Sequence, residues 1–154
     1  MDSITHSAAR RVPRAVHVEP RRVVFNFEDI LFRHDIDEEC SGKAFEETPL
    51  GVYLATHFSE ALEKYIGKVK VSLLSKENVI DESSENFMPY FKPVKNRIKV
   101  PADENDTWYW WLKTPSAPNS ASFWYVYHDG RSGNVIASHS NCGVAPAFEI
   151  KDGV

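Results

Sequence analysis

Aromatic residues are concentrated in one stretch near the C-terminus, residues 108–150, and this concentration constrains the fold more than any other feature. The stretch contains all four tryptophans and three of the six tyrosines, with few charged residues among them. Successive side chains of a β-strand point to opposite faces, so the run Trp108-Tyr109-Trp110-Trp111 places large rings on both faces. We expect two of the indoles to point into the core and the others to point outward or into a groove.

A second aromatic strand follows in residues 123–128. Asp129-Gly130, followed by Arg131-Ser132-Gly133-Asn134, is a strong turn signal that leads into Val135-Ile136, so this region predicts a β-hairpin. The alternation predicts one face with Phe123, Tyr125 and Tyr127 and another with Trp124, Val126 and His128.

Small polar residues are interleaved with these rings. Tyrosine and tryptophan supply large contact area at low entropic cost, and serine and asparagine supply adaptable hydrogen bonds, so the mixture is typical of a binding surface. The alternative is a twisted sheet with ordinary aromatic cross-strand pairs and polar loops. The candidate ligand-binding residues are Trp110, Asn119, Trp124, Tyr125, Tyr127, His128, Ser138, His139 and Asn141.

The rest of the chain predicts one helix, short strands and a long irregular segment. Thr48-Pro49 favours a helix start and Gly67 a helix end. The predicted apolar face contains Leu50, Tyr53, Leu54, Phe58, Ala61, Leu62 and Tyr65. Alternation predicts strands at residues 23–32 and 68–74. Three prolines and two polar runs predict an irregular segment over residues 81–106, and such long segments are usually functional or mobile.

Charge is distributed unevenly along the chain. Residues 1–22 contain five arginines against Asp2 and Glu19, an excess of +3 in a chain whose net charge is −4. Two prolines and weak alternation predict that residues 1–22 form an extended basic arm, with a single domain over residues 23–154. The arm could dock into a larger assembly or a neighbouring subunit, or it could be a disordered leader. The body is acidic, which argues against nucleic-acid binding.

Several classes of protein and site lack their sequence pattern. No run approaches the roughly 18 apolar residues of a membrane helix, and no signal peptide opens the chain, so we expect a cytoplasmic protein or part of a phage or secreted assembly. Cys40 and Cys142 fit neither a metal knuckle nor a CxxC motif, which favours two buried free thiols over a disulfide. The acidic loop at residues 34–40 could hold a hard cation but lacks the EF-hand glycine and glutamate, so we favour a solvated loop and expect no cofactor.

The chain resembles, segment by segment, a family of bacterial and prophage domains of unknown function. WWLKTP at residues 110–115 is similar to the family's WWLRSPG, and GVAPAF at residues 143–148 is similar to its GVRPAL. TPLGVYLATHFSEAL resembles the family's helix, and KVSLLSKENV resembles its KVFLLSLEEV. The resemblance covers roughly residues 45–150. Ala145 replaces the family's arginine, so an ion pair formed by that arginine is not expected.

The resemblance implies an α+β, C-type-lectin-like fold with a small mixed or antiparallel sheet, one or two helices and a long irregular loop region. The same scaffold carries retroelement-diversified variable proteins, whose variable positions lie near the C-terminus and favour Tyr, Ser, His, Asp and Asn. The calcium-dependent lectin motifs are missing, because Ala117-Pro118-Asn119 stands in place of Glu-Pro-Asn. Calcium-dependent sugar binding is therefore not expected.

Three function classes remain. We favour a non-catalytic recognition module of phage, prophage or bacterial origin that binds protein or glycan through the aromatic, Ser- and Asn-rich C-terminal face. The second class is a structural subunit of a virion or secretion assembly that docks through residues 1–22. The third is an enzyme similar to formylglycine-generating oxidases. A nucleophilic set of Cys142, His139 and Asp129 would need an exposed thiol of lowered pKa, whereas the Gly143-Val144 context predicts a buried strand.

Overall fold

The chain folds around two β-sheets, and the computed structural model describes residues 12–151. The strands of these residues are β1 (Pro13–Glu19), β2 (Arg22–Phe27), β3 (Phe32–Arg33), β4 (Trp110–Pro115), β5 (Ser122–Val126), β6 (Ser132–Ile136), β7 (Gly143–Val144) and β8 (Ala147–Lys151). One sheet has the order β1-β2-β8 and the other the order β3-β7-β4-β5-β6. The second sheet is mixed, because β4 pairs in parallel with β7 and antiparallel with β5. The predicted α+β class is confirmed.

The three-stranded sheet corrects the predicted arm. Residues 13–19 form β1, which pairs antiparallel with β2. The side chain of Val16, in the middle of β1, is buried. The interpretation of residues 13–22 as an unpacked arm is wrong, because backbone pairing with β2 orders a segment whose own alternation is weak. Its arginines form ion pairs within the sheet, Arg14 with Glu28 at 3.0 Å and Arg22 with Glu149 at 2.7 Å. The rest of the predicted arm, residues 1–11, lies outside the described residues.

Strand β4 has a buried core on each face. Trp110 and Trp111 are both 0 % exposed, and they point to opposite faces. Trp111 packs with Phe45 and Phe123 in one core, and Trp110 packs with Phe91 in the other. The prediction that two indoles point inward is confirmed, although they enter two different cores.

The predicted hairpin is confirmed, and so is the predicted buried strand at Gly143-Val144. Strands β5 and β6 pair antiparallel from Ser122↔Ile136 to Val126↔Ser132. The closing motif at residues 143–148 divides between β7 in the five-stranded sheet and β8 in the three-stranded sheet. Between them, the carbonyl of Pro146 accepts a hydrogen bond from the Phe27 amide at 2.9 Å. This one motif therefore links the two sheets.

The predicted helix occupies residues 49–66 and is named α1. Thr48 Oγ1 accepts a hydrogen bond from the Gly51 amide at 3.1 Å, and Gly67 ends the helix with a φ of 84°, as predicted. Leu54–Phe58 is π-helical. Because a π turn holds an extra residue, the face that follows is rotated, and Tyr65 is 85 % exposed. The prediction that Tyr65 lies on the apolar face is wrong.

The predicted strand at residues 68–74 is reduced to a single bridge between Ser72 and Ala147. Val71 and Leu73 are nevertheless buried. The alternation in the sequence therefore reflects the burial of side chains and not the backbone pairing of a strand. A short helix, α2 (Lys76–Val79), follows, with Ser75 as its N-cap. Residues 81–106 are irregular as predicted, apart from the 3-10 turns Pro89–Phe91 and Val94–Arg97.

Both cysteines are free thiols, as favoured, but only Cys142 is buried, while Cys40 is half-buried. In the acidic loop, Asp37 accepts hydrogen bonds from the Glu39 and Ser41 amides at 3.1 and 3.0 Å, and it is buried rather than solvated. Among residues 12–151, no group of three or more His, Cys, Asp or Glu side chains could hold a metal ion. No helix in that range is both long and apolar enough to cross a bilayer.

Candidate ligand-binding surface

Six aromatic side chains meet where β4 begins and β5 ends in the five-stranded sheet. Tyr109 lies at the centre, with its ring centroid 4.8 Å from that of Trp108, 5.5 Å from Tyr125 and 5.8 Å from His139. Tyr127 extends the group, 6.1 Å from Tyr125 and 4.2 Å from His128. We call these residues the aromatic rim: Trp108, Tyr109, Tyr125, Tyr127, His128 and His139.

Three neighbouring segments position the rim. Tyr109 immediately precedes β4, Tyr125 belongs to β5, and His139 lies in the turn after β6. Tyr125 is paired directly with Gly133 of β6, and a Cβ atom at Gly133 would lie 2.9 Å from the phenol ring. The missing side chain of Gly133 therefore lets the Tyr125 ring lie across the neighbouring strand.

Hydrogen bonds fix the polar ends of these rings. Tyr109 Oη and His139 Nε2 are 2.9 Å apart, and Trp108 Nε1 donates to the carbonyl of Asn141 at 2.7 Å. The guanidinium of Arg33 lies 4.6 Å from the Trp108 ring centroid, within cation–π range, and Arg33 also forms an ion pair with Glu104 at 2.9 Å. These contacts order the rings before any ligand arrives.

The rim presents neutral phenols to solvent. Burial raises the pKa of Tyr109 and of Tyr125, and the nearby Cys142 raises both further, so both phenols remain protonated at neutral pH. A neutral phenol can donate and accept a hydrogen bond while its ring stacks. The arrangement is suited to contact with a ligand through stacking and hydrogen bonding.

The predicted nucleophilic set is not assembled. Burial raises the pKa of the Cys142 thiol well above its ordinary value, which disfavours the thiolate that nucleophilic attack requires. The hydrogen bonds of His139 and Asp129 go to Tyr109 and Arg131. The predicted burial of Cys142 is confirmed.

The predicted ligand-binding residues are only partly brought together. Tyr125, Tyr127, His128, His139 and the backbone of Asn141 meet at the rim, and Ser138 is half-buried beside His139.

Three other predicted residues lie elsewhere. Trp110 belongs to the core and not to an exposed surface, since its buried indole donates to the Arg97 carbonyl at 3.0 Å. Trp124 lies on the opposite face of β5 from Tyr125, where its ring centroid is 4.5 Å from Lys76 Nζ. Asn119 is exposed in the loop before β5, whereas Tyr127 follows that strand.

Sequence reasoning missed Trp108, Tyr109 and Arg33. The first two were visible at the start of the aromatic run. They could have been selected because the residues that enter a strand are less often enclosed than those at its middle. Arg33 gave no signal, since it reaches the rim only through the pairing of β3 with β7.

A comparison with protein families found a match. The model of a family described as "Domain of unknown function (DUF6273)" matches residues 63–152, more than half of the chain. The match confirms the predicted resemblance to a family of domains of unknown function, over a segment that begins inside α1 rather than at residue 45. Neither the curated proteins nor the solved structures gave a match to the chain.

Proposed function

Because the chain belongs to the DUF6273 family, whose description names no activity, we propose its function from its geometry: it is a non-catalytic recognition module that binds a protein or a glycan through the aromatic rim. The carrying observation is the set of partly exposed rings that already stack on one another around Tyr109. Rings held in place lose little conformational freedom on binding, so more of their contact energy appears as affinity.

The chemistry of the rim supports a macromolecular surface as the ligand. Tyr127 is 37 % exposed and His128 is exposed, so the outer rings are accessible while Tyr109 supports them from below. Tyrosines flanked by an arginine are the residue types that dominate binding energy at recognition surfaces. Sugars stack on such rings, and proteins pack apolar side chains against them.

We further propose a C-type-lectin-like fold and a phage, prophage or bacterial origin. A mixed sheet, one long helix and the irregular segment at residues 81–106 support the fold. Tyrosine, histidine and asparagine are favoured at the variable positions of retroelement-diversified proteins. The rim residues Tyr125, Tyr127, His128 and His139, and Asn141 beside them, are of these types. On this proposal the rim would be the part of the chain that changes between relatives.

The two alternative functions have less support. Docking through residues 1–22 would use residues 1–11 or the outer side of β1, because β1 is the edge strand of its sheet and is paired with β2 on its other side. An enzyme that uses Cys142 as nucleophile would have to expose and deprotonate a buried thiol.

The test is a binding measurement on the full chain with a glycan array and with whole bacterial cells. Cells treated with periodate lose glycan diols, and cells treated with protease lose surface proteins, so the two treatments separate the two ligand classes. We expect the double variant Tyr125→Ala/Tyr127→Ala to bind about 30-fold more weakly than the wild type, since hot-spot tyrosines contribute roughly 2 kcal/mol or more.

Tyr65→Ala is the matched control, because Tyr65 is an exposed tyrosine on α1 rather than on the rim. It should bind like the wild type. Unchanged binding by the double variant, or an equal loss in Tyr65→Ala, would overturn the rim as the binding surface.

A further inference from the structure

A polar pocket lies between the three-stranded sheet and the two 3-10 turns, away from the aromatic rim. It has a volume of about 300 Å³, which is enough for a small molecule. Its lining includes Arg14, Asn26, Glu28, Asp29, Tyr90 and Lys99. Exposed Lys95 is also part of the lining, so the pocket reaches solvent. We call it the Lys99 pocket.

The amine of Lys99 is held at the inner side of this pocket. Lys99 is only 4 % exposed, and its Nζ donates to the carbonyls of Phe27 at 2.6 Å and Glu28 at 3.2 Å. A neutral amine has two N–H donors and one lone pair. Both donors are used by these carbonyls, so the lone pair is the group left for chemistry.

The environment favours the neutral amine. Burial lowers the pKa of Lys99 from its ordinary range to about 7, and Asp29 and Glu28 only partly oppose this effect, while Arg14 adds to it. The Trp110 ring, whose centroid lies 4.9 Å from Nζ, stabilises the fraction that is still protonated. The titratable groups that line the pocket around Lys99 are Arg14, Glu28, Asp29, Tyr90 and Lys95.

Asn26 forms a fixed part of the pocket wall. Its Nδ2 donates to the carbonyls of Ala145 at 3.0 Å and Pro146 at 3.1 Å, which fixes the amide orientation. Its Oδ1 has no hydrogen-bond partner and is closed off from solvent, since the residue is 0 % exposed. A ligand in the pocket, which is open to solvent, therefore does not reach this oxygen.

We propose that the Lys99 pocket binds small aldehydes or ketones and that Lys99 forms an imine with their carbonyl carbon. The site is separate from the aromatic rim and does not depend on the function proposed for it.

The step balances without an oxidant or a reductant. The Lys99 lone pair attacks the carbonyl carbon, a C–N bond forms, and a carbinolamine results. The carbinolamine loses its oxygen as water together with the two hydrogens of the amine, which leaves a C=N bond. A buried lysine kept neutral by its surroundings is the form that such attack requires.

The experiment exposes the folded full chain at pH 7 to glycolaldehyde and traps the imine with cyanoborohydride. Peptide mass mapping then measures the labelling rate of each lysine. At pH 7 a lysine of pKa about 7 is half neutral, whereas an ordinary lysine is neutral in about one molecule in 2,500. We expect Lys99 to be labelled at least about 10-fold faster than Lys95.

The matched variants are Lys99→Met, which should lose the fast labelling, and Lys95→Met, which should retain it. Should Lys99→Met fail to fold, the wild-type pH profile decides: the labelling rate of Lys99 should rise with a midpoint near pH 7. Labelling confined to exposed lysines would overturn the proposal and leave Lys99 as a structural donor to two carbonyls.

Discussion

Tyr109 and Trp110 are neighbours in sequence, yet each belongs to a different region of the molecule. Tyr109 is the centre of the aromatic rim, where four other rings surround it. Trp110 is buried on the opposite face, where its ring contacts the amine of Lys99. Because successive strand residues alternate, one short aromatic run supplies both a ring of the open surface and a buried ring that lies against the amine of Lys99.

The two regions differ in what they leave unsatisfied. The polar ends of Trp108 and Tyr109 at the rim are hydrogen-bonded, so the rim offers mainly ring surface. The Lys99 pocket contains a buried amine. Ring surface suits a broad ligand, whereas a buried amine suits a small one with a matching group. Contact area and the amine that we propose to be reactive therefore lie on opposite sides of β4.

The largest loss of stability is expected when the buried indole of Trp110 is removed. Trp110→Ala removes a fully buried indole and should lower the free energy of unfolding by about 3–5 kcal/mol. Trp108→Ala removes a half-buried ring with one hydrogen bond and one cation–π contact, and it should cost about 1–2 kcal/mol. Denaturant unfolding of both variants measures the difference. Equal losses would show that the rim contributes to stability as much as the core does.

The next effect, which is smaller for each unit of pH, is expected in the pH dependence of stability. The folded-state pKa of Lys99 is lowered to about 7, so between pH 7 and about 10 the unfolded chain binds more protons at this residue than the folded chain does. Stability from this group therefore rises with pH across that window, by up to roughly 1.4 kcal/mol per pH unit. Below pH 7 the lysine is protonated in both states and adds no slope.

Lys99→Met should remove this rise, and urea unfolding at several pH values measures it as the difference between wild type and variant. Lys95→Met is the control, because an exposed amine is solvated in both states. A Lys99→Met curve parallel to the wild type would mean that the amine is not desolvated, and the contrast between pocket and rim would then weaken.

More of the aromatic rim than of the Lys99 pocket could be predicted from the sequence, and the reason is physical. Alternation and turn residues are local signals, so the β5–β6 hairpin and the ring pair Tyr125 and Tyr127 could be predicted. Thr48 and Gly67 likewise marked the ends of α1 through their local preferences.

The pocket has no local signal. Lys99 lies in an irregular segment, where the sequence favours a lysine exposed to solvent. Its amine is buried because the carbonyls of Phe27 and Glu28, which are far away in sequence, lie beside it in the fold. Asn26 is a polar residue among apolar ones in β2, which favours exposure to solvent, yet it is fully buried. Burial of polar groups on both faces of a sheet is a property of tertiary packing, which alternation along one strand does not encode.

The smallest stability effect, with the clearest functional readout, is expected at Gly133. A Cβ there would lie 2.9 Å from Tyr125 Cζ and Oη, which are the far end of a side chain that can rotate away. Gly133→Ala should therefore change the free energy of unfolding by less than about 1 kcal/mol, since a displaced ring tip costs less than displaced backbone. Because the rotation removes Tyr125 from its packing with Tyr109 and Tyr127, Gly133→Ala should weaken binding through the rim, as the tyrosine variants do.

Labelling of Lys99, on the other side of β4, should remain at the wild-type rate. Loss of both activities would mean that the two faces are coupled through the sheet, and retention of rim binding would mean that the placement of Tyr125 over β6 does not matter for recognition.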